Sequence, residues 1–166
     1  GFFVYVNSLN GKFIWDDEGL VEKNIYIKDF AHIPEIFRED IGSGNIAQGG
    51  GEKRTFSYRP LQMLTYALDH SLWKLDVRGY HLTNILLHIL VSILLYLFIG
   101  VLFKDNLIAL LVGMFFVVHP IHTEAISYIS GRADPLSCVF IFLSLIMYVK
   151  NIELNNKLIY IILPVC

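Results

Sequence analysis

The sequence predicts an all-α polytopic membrane protein, and three observations carry that prediction. Of its 166 residues 55% are hydrophobic and only 17% charged, whereas soluble domains hold about 45–50% apolar and about 25% charged residues. The run Tyr80 to Phe103 contains no Asp, Glu, Lys or Arg, and it meets the roughly 20 helical residues that a bilayer core of ~30 Å requires. Further apolar runs follow at Asn106 to Val118, Pro135 to Val149 and Leu158 to Cys166, divided by the short polar turns Lys104-Asp105-Asn106 and Lys150 to Lys157.

Taken in order, Phe2 to Val6 reads as the tail of a first spanning segment, so residues 1–8 close a helix that begins before this chain. The absence of an initial Met at Gly1 and the apolar run ending at Cys166 give the expectation of a piece of a larger protein. Residues 9–79 form a long polar loop. Within it, Pro34 suits the first turn of a short helix through Glu39, because its missing N–H costs nothing there. Gly42 to Gly51 is glycine-rich and reads as a flexible excursion. Pro60 opens a second helix on which Leu61, Leu64, Leu68, Leu72 and Leu75 share one stripe, with Trp73 near its end. An amphipathic helix just before a spanning segment is expected to lie in the membrane interface.

Residues 80–166 then form spanning helices, at 80–103, at 106–118 and beyond, at 135–149, and from 157 onward. Asn106 to Val118 covers only about 20 Å at 1.5 Å per residue, so it crosses only by continuing through Pro120 or by ending below the membrane surface. Lys104, Lys150 and Lys157 in the short turns suit the cytoplasmic side, which places the long loop outside, in the periplasm or a lumen. The parity of the crossings needs no charge rule. A chain that leaves the loop at Tyr80, turns at Lys104 and returns by Val118 puts Asp16-Asp17-Glu18 and His119 to Asp134 on one membrane face.

The net charge of -2 implies no nucleic-acid partner. Cys138 and Cys166 lie in apolar runs and read as buried free thiols, with no disulfide framework or zinc spacing. No Asn-x-Ser/Thr acceptor occurs.

Four constellations carry chemistry. Asp16, Asp17 and Glu18 read either as a solvated acidic turn or helix start, or as a general base with a neighbour that tunes it or holds a metal. In His119-Pro120-Ile121-His122-Thr123-Glu124, ionisable groups lie at membrane depth, where they are rare and usually functional. Pro120 there frees backbone groups that are tolerated only inside protein or in a wet cavity. Asp17, His119, His122 and Glu124 are candidate ligands for a divalent ion such as Mg or Mn, although no strict zinc spacing is matched; hydrogen bonding to a phosphate is the alternative. His81, Asn84, His88 and Ser92 form a polar stripe that should face the bundle, for interhelical hydrogen bonding or for a substrate. In Gly131-Arg132-Ala133-Asp134-Pro135, Asp134 reads as an N-cap with Pro135 at the first helical position. Arg132 reads as a guanidinium suited to a lipid phosphate, as does Arg59, with Tyr58, more weakly.

In order, Phe13-Ile14-Trp15-Asp16-Asp17-Glu18, Ser57-Tyr58-Arg59-Pro60-Leu61, Tyr80-His81, Asn84, His88, the string from His119 to Glu124 and Gly131-Arg132-Ala133-Asp134 resemble the N-terminal region of TMTC-type proteins. These are membrane O-mannosyltransferases of the GT-C superfamily, with bacterial relatives. The resemblance implies a GT-C-like helix bundle and a polyprenyl- or dolichyl-phosphate sugar donor. It also implies a protein Ser/Thr acceptor, more spans and C-terminal tetratricopeptide repeats outside this stretch, and a fragment inactive alone. It implies Asp16, Asp17 or Glu18 as catalytic acids in the first extracytoplasmic loop. Arg59, His81, His88, His119, His122, Glu124, Arg132 and Asp134 would bind donor phosphate or substrate, with metal dependence open. The expected location is the bacterial cytoplasmic membrane, with the endoplasmic reticulum as alternative. A non-catalytic scaffold and a transporter lined by the His81–His88 stripe are the competing classes.

Overall fold

The computed structural model describes residues 1–45 and 57–154. Among them lie seven α-helices joined by short tighter or wider turns and one isolated bridge between Asn24 and Asn45. The apolar run Leu158 to Cys166, the turn residue Lys157, Cys166 and the part of the Gly42 to Gly51 excursion after Asn45 lie outside the described residues.

The frame is membrane helices. Helix α1 (Phe2–Tyr5) packs through Tyr5 on Ile85 and Ile126. Helix α4 (Val77–Phe103) and the segment Ile129–Asn151 are each long and apolar enough to cross a bilayer. Helix α5 (Asn106–Val118) and the segment Pro120–Ser127, which holds α6 (Thr123–Ser127), bend by 47° at their junction. The short third run is thus broken, and the break falls at Pro120, whose ring and missing N–H end a helix. Asp76 caps α4 through Arg78 N, and Asp105 caps α5 through Leu107 and Ile108 N, satisfying donors that a helix start leaves free. Between them Lys104 takes φ 56° as the left-handed closing residue of α4.

Helix α7 (Ala133–Leu154) starts two residues earlier than the sequence suggests. Asp134 is therefore inside its first turn, beside the positive end of the helix dipole, and does not cap it. Both α4 and α7 begin at the loop side and run away from it, so Lys104 and Lys150 end on the opposite face. Val91, Leu94 and Val139 seal the two helices together, with half-buried Cys138 alongside.

The loop folds into a cap with its own core. Val21, Ile27, Ile36 and Ile41 pack against Met63, Tyr66 and Ala67 of α3 (Pro60–Trp73), Tyr80 of α4, and Ile129. Helix α2 (Ile33–Ile36) carries Pro34 in its first turn. Trp73 closes the corner between α3 and α4 by lying on Gly79, where a Cβ would overlap the indole.

Helix α3 is inverted relative to a helix of a soluble protein. Its buried face holds Gln62, Tyr66 and Asp69, whereas Leu61, Leu68 and Leu72 are 46%, 49% and 72% exposed. The leucine face is turned outward, and Gln62, Tyr66 and Asp69 share the interior face with Met63 and Ala67.

Candidate active site

Three consecutive acids meet three different environments. Asp17 is fully buried, while Asp16 and Glu18 are exposed. The Oδ1 atom of Asp17 accepts from the Ser130 backbone N–H at 2.8 Å and from its hydroxyl at 2.5 Å, and Oδ2 accepts from Ile14 N at 3.3 Å. The parity of the spans brings the acidic triplet and the 119–134 segment to one face; the fold goes further and bonds them directly. Ser130 carries no signal in the sequence, since serine in a turn is ordinary.

Burial pushes the Asp17 carboxyl above its usual value, outweighing the hydrogen bonds from Ser130 and Ile14 that lower it. A raised carboxyl pKa makes the folded state hold its proton longer than the unfolded one. Stability then falls as pH climbs past the ordinary value of 3.8, and the loss is complete above the raised folded value. Asp17→Asn, which keeps an acceptor for Ser130, is expected to flatten that part of the pH–stability profile measured by thermal unfolding. An unchanged slope would show that folding does not shift the Asp17 carboxyl.

The turn 129–132 that holds Asp17 is itself clamped. Arg132 is 0% exposed and pairs with Asp69 at 2.6 Å. It donates through Nε to Asn84 at 2.7 Å, and through its two amino groups to Thr65 Oγ1 at 3.1 Å and the Tyr80 carbonyl at 3.0 Å. Its guanidinium lies 4.7 Å from the centre of the Tyr66 ring. Asp69 also accepts from Thr83 at 2.7 Å, and burial holds its carboxyl above the usual range despite Arg132 beside it. Tyr66 donates to the Ile129 carbonyl, and Gln62 to that of Ser130. The reading of Arg132 as a surface group for a lipid phosphate is thus corrected: its charge is spent inside the fold on Asp69. That acid escaped sequence reasoning because an Asp on an amphipathic helix resembles ordinary polar surface.

Trp15 has φ 50°, a region that costs a bulky residue energy and is tolerated where structure enforces it. Its ring meets Tyr128 edge-on at 6.4 Å. With Asp17 locked inward, Asp16 and Glu18 turn outward into a cleft of about 450 Å³ that Lys23, Ser57 and Arg59 also border. Glu18 pairs with Lys23 at 2.8 Å. Arg59 additionally borders a second recess of about 440 Å³ that Asp134 and Ser137 share at the start of α7.

The histidines lie elsewhere. His88 is buried, its Nε2 3.3 Å from the Val117 carbonyl, and Tyr5 donates to the His119 carbonyl at 2.9 Å. Both carbonyls belong to the break at Pro120, and backbone groups freed by such a break require partners. His122 lies 4.2 Å from Phe116 and 5.1 Å from His88 between ring centres, and His119 Nδ1 accepts from Ile121 N. Glu124 is exposed on α6. Hence Asp17, His119, His122 and Glu124 do not come together, and among the described residues no three His, Cys, Asp or Glu converge to hold a metal. Those four residues therefore offer no common site for a divalent ion. His81 is buried without a hydrogen-bond partner for either ring nitrogen among the described residues, packed against Gly11. Asn84 and Ser92 complete the inward stripe, Asn84 reaching the carbonyls of Ile126, Tyr128 and Ile129.

No family model matches the chain, and no solved structure does. Curated proteins do. It is 36% identical over 151 residues to the human Protein O-mannosyl-transferase TMTC2, covering 91% of this chain and 18% of that one. It is 32% identical over 162 residues to Protein O-mannosyl-transferase F38B6.6 of Caenorhabditis elegans, covering 96% and 23%. Against Protein O-mannosyl-transferase Tmtc1 of Drosophila melanogaster the identity is 31% over 156 residues, covering 94% and 18%. The chain thus spans less than a quarter of the length of these curated relatives. With spanning helices, a folded first loop and this similarity along nearly its whole length, the chain belongs to the TMTC family and corresponds to the N-terminal part of its members.

Proposed function

We propose that this chain forms the first-loop half of the active site of a membrane glycosyltransferase. The enzyme moves a hexose, mannose by the names of its relatives, from a polyprenyl- or dolichyl-phosphate to a protein Ser or Thr hydroxyl at the extracytoplasmic face. The observation that carries this reading is the cleft where Asp16, Glu18 and Arg59 meet, at the loop side of the spanning helices.

Asp16 takes the proton of the acceptor hydroxyl as general base. The oxygen attacks the anomeric carbon from the face opposite the phosphate; the bond from that carbon to the phosphate oxygen breaks, and its electron pair leaves with the lipid phosphate. Arg59, on the wall between the cleft and the recess at α7, stabilises the charge gathering on that phosphate, as fixed cations do in water-poor sites. Glu18, held by Lys23, shapes the cleft. Asp17 does not react; bonded to Ser130, it sets the direction of Asp16. Lys104 and Lys150 on the far face support an extracytoplasmic loop.

The test is transfer from radiolabelled dolichyl-phosphate mannose to Ser/Thr peptides by the full-length protein in lipid vesicles. Label is expected on the peptide from the lipid-linked donor and not from a soluble nucleotide sugar. Transfer from the soluble donor alone would overturn the donor assignment, and no transfer from either would favour a scaffold.

A further inference from the structure

Three residues other than glycine hold a positive φ among the described residues: Trp15 at 50°, Lys74 at 55° and Lys104 at 56°. Lys74 and Lys104 close helices α3 and α4, where the chain must turn out of the helix. Trp15 closes none, and it puts the bulkiest of side chains in a region that suits glycine. The lock that turns Asp17 inward also holds Trp15 in place. The Asp17 N–H donates to the Ile14 carbonyl at 3.0 Å, its Oδ2 accepts from Ile14 N at 3.3 Å, and Ser130 N donates to its Oδ1 at 2.8 Å. The result is an indole that is 85% exposed. Strain and an unburied apolar side chain both cost free energy, so the fold spends twice to hold this ring out.

What the ring borders gives its purpose. The cleft of about 450 Å³ falls within the range of about 300–1,000 Å³ usual for small-molecule sites. Asp16, Glu18 and Arg59 give it polar edges, whereas Trp15, Leu20 and Ile41 give it apolar wall. Tyr128, half-buried and two residues before Ser130, meets the indole edge-on with ring centres 6.4 Å apart at 76°, an arrangement that aromatic pairs favour. A pyranose ring matches this division. Its hydroxyls bond to carboxylates and a guanidinium, and the slightly positive C–H bonds on its faces are drawn to the negative face of an aromatic ring. A Ser or Thr side chain has no such face to lay on an indole. A tryptophan that only anchors a membrane interface needs neither a strained backbone nor carboxylates beside it.

We infer that Trp15 is the platform on which the transferred hexose lies, its indole covering one face of the sugar ring. Tyr128 is the positioning residue that steadies it. The inference rests on the reading of this cleft as the transfer site, and it names the group that recognises the sugar rather than the phosphate.

The experiment is saturation-transfer NMR on the full-length protein in detergent, with aromatic protein resonances irradiated and mannose 1-phosphate titrated. Saturation is expected to reach the protons of the sugar ring in the wild type; none there would overturn the inference. Trp15→Gly is expected to weaken mannose 1-phosphate binding about tenfold, and Trp15→Tyr, which keeps a flat ring, to restore most of it. Glycine suits the positive φ, so the unfolding midpoint of Trp15→Gly is expected at or above that of the wild type, and its loss of binding is not a loss of folding. Unchanged binding in Trp15→Gly, or a Trp15→Tyr variant as weak, would remove the platform. Equal weakening of inorganic phosphate, followed by phosphorus NMR, would move the effect to the anion and also overturn it. In the transfer assay Trp15→Gly is expected to raise the donor KM about tenfold and to lower kcat far less than Asp16→Asn does. Binding is read without turnover. Trp15-dependent binding with no label transferred would therefore sink the transferase reading and leave the sugar platform standing.

Discussion

Asp16→Asn in the full-length protein is expected to lower sugar transfer by about 10²–10⁴-fold, the usual contribution of a general base, with the thermal unfolding midpoint unchanged. Asp16 is exposed to the cleft and makes no buried contact that the amide would break. Asp17→Asn is the informative companion. Its amide oxygen still accepts from Ser130, so transfer is expected to survive it within about tenfold, a loss of at most ~1.4 kcal/mol. Asp17→Ala, which leaves the Ser130 donors without an acceptor, should cost about 1–3 kcal/mol of stability. The measurement is initial rate of label transfer with donor saturating, beside an unfolding curve for each variant. If Asp17→Asn matches Asp16→Asn in its loss while remaining folded, the two acids exchange roles: the buried one takes the proton, and the exposed one merely lines the cleft.

The largest effect on stability is expected from Arg132→Met. Removing the guanidinium leaves the Asp69 carboxylate buried and unpaired, along with acceptors on Asn84 and Tyr80. Breaking a buried pair in this way costs about 3–5 kcal/mol, enough to deplete folded protein in the membrane. Arg132→Lys should rescue little, because an ammonium cannot reproduce a planar fork serving Asp69, Asn84, Thr65 and the Tyr80 carbonyl together. Asp69→Asn in the Arg132→Met background removes the stranded charge and should recover part of the loss. The readout is the yield and unfolding midpoint of detergent-solubilised protein. An Arg132→Met variant as stable as wild type, yet inactive, would return Arg132 to the role of a phosphate ligand.

Much of the architecture was legible because the bilayer imposes simple demands. A run without charges from Tyr80 to Phe103 has few alternatives to spanning, and the short run before Pro120 had to break or stop. The inward stripe of His81, Asn84, His88 and Ser92 followed from the cost of polar groups in lipid. The same rules could not say what each polar group would find there. His88 and Tyr5 take carbonyls released at the break, and His81 finds no partner among the described residues. The helix of α3 and its leucine stripe were readable from the spacing of the leucines. Its importance was not, since the face that organises Arg132 and the turn at Ser130 is the face that looked solvent-exposed.

By itself the sequence determined the class, the long apolar helices, the family, and the nearness of the acidic triplet to the 119–134 segment. Those properties depend on hydropathy, length and the order of motifs, all local or additive along the chain. Only the tertiary structure decided which acid faces the cleft. Neighbouring residues in a helical turn point about 100° apart, so Asp16, Asp17 and Glu18 could be dealt among interior and exterior in several ways. The partner that chose among them is Ser130, 113 positions away, and it stands where it does because Asp69, on a third element, holds Arg132.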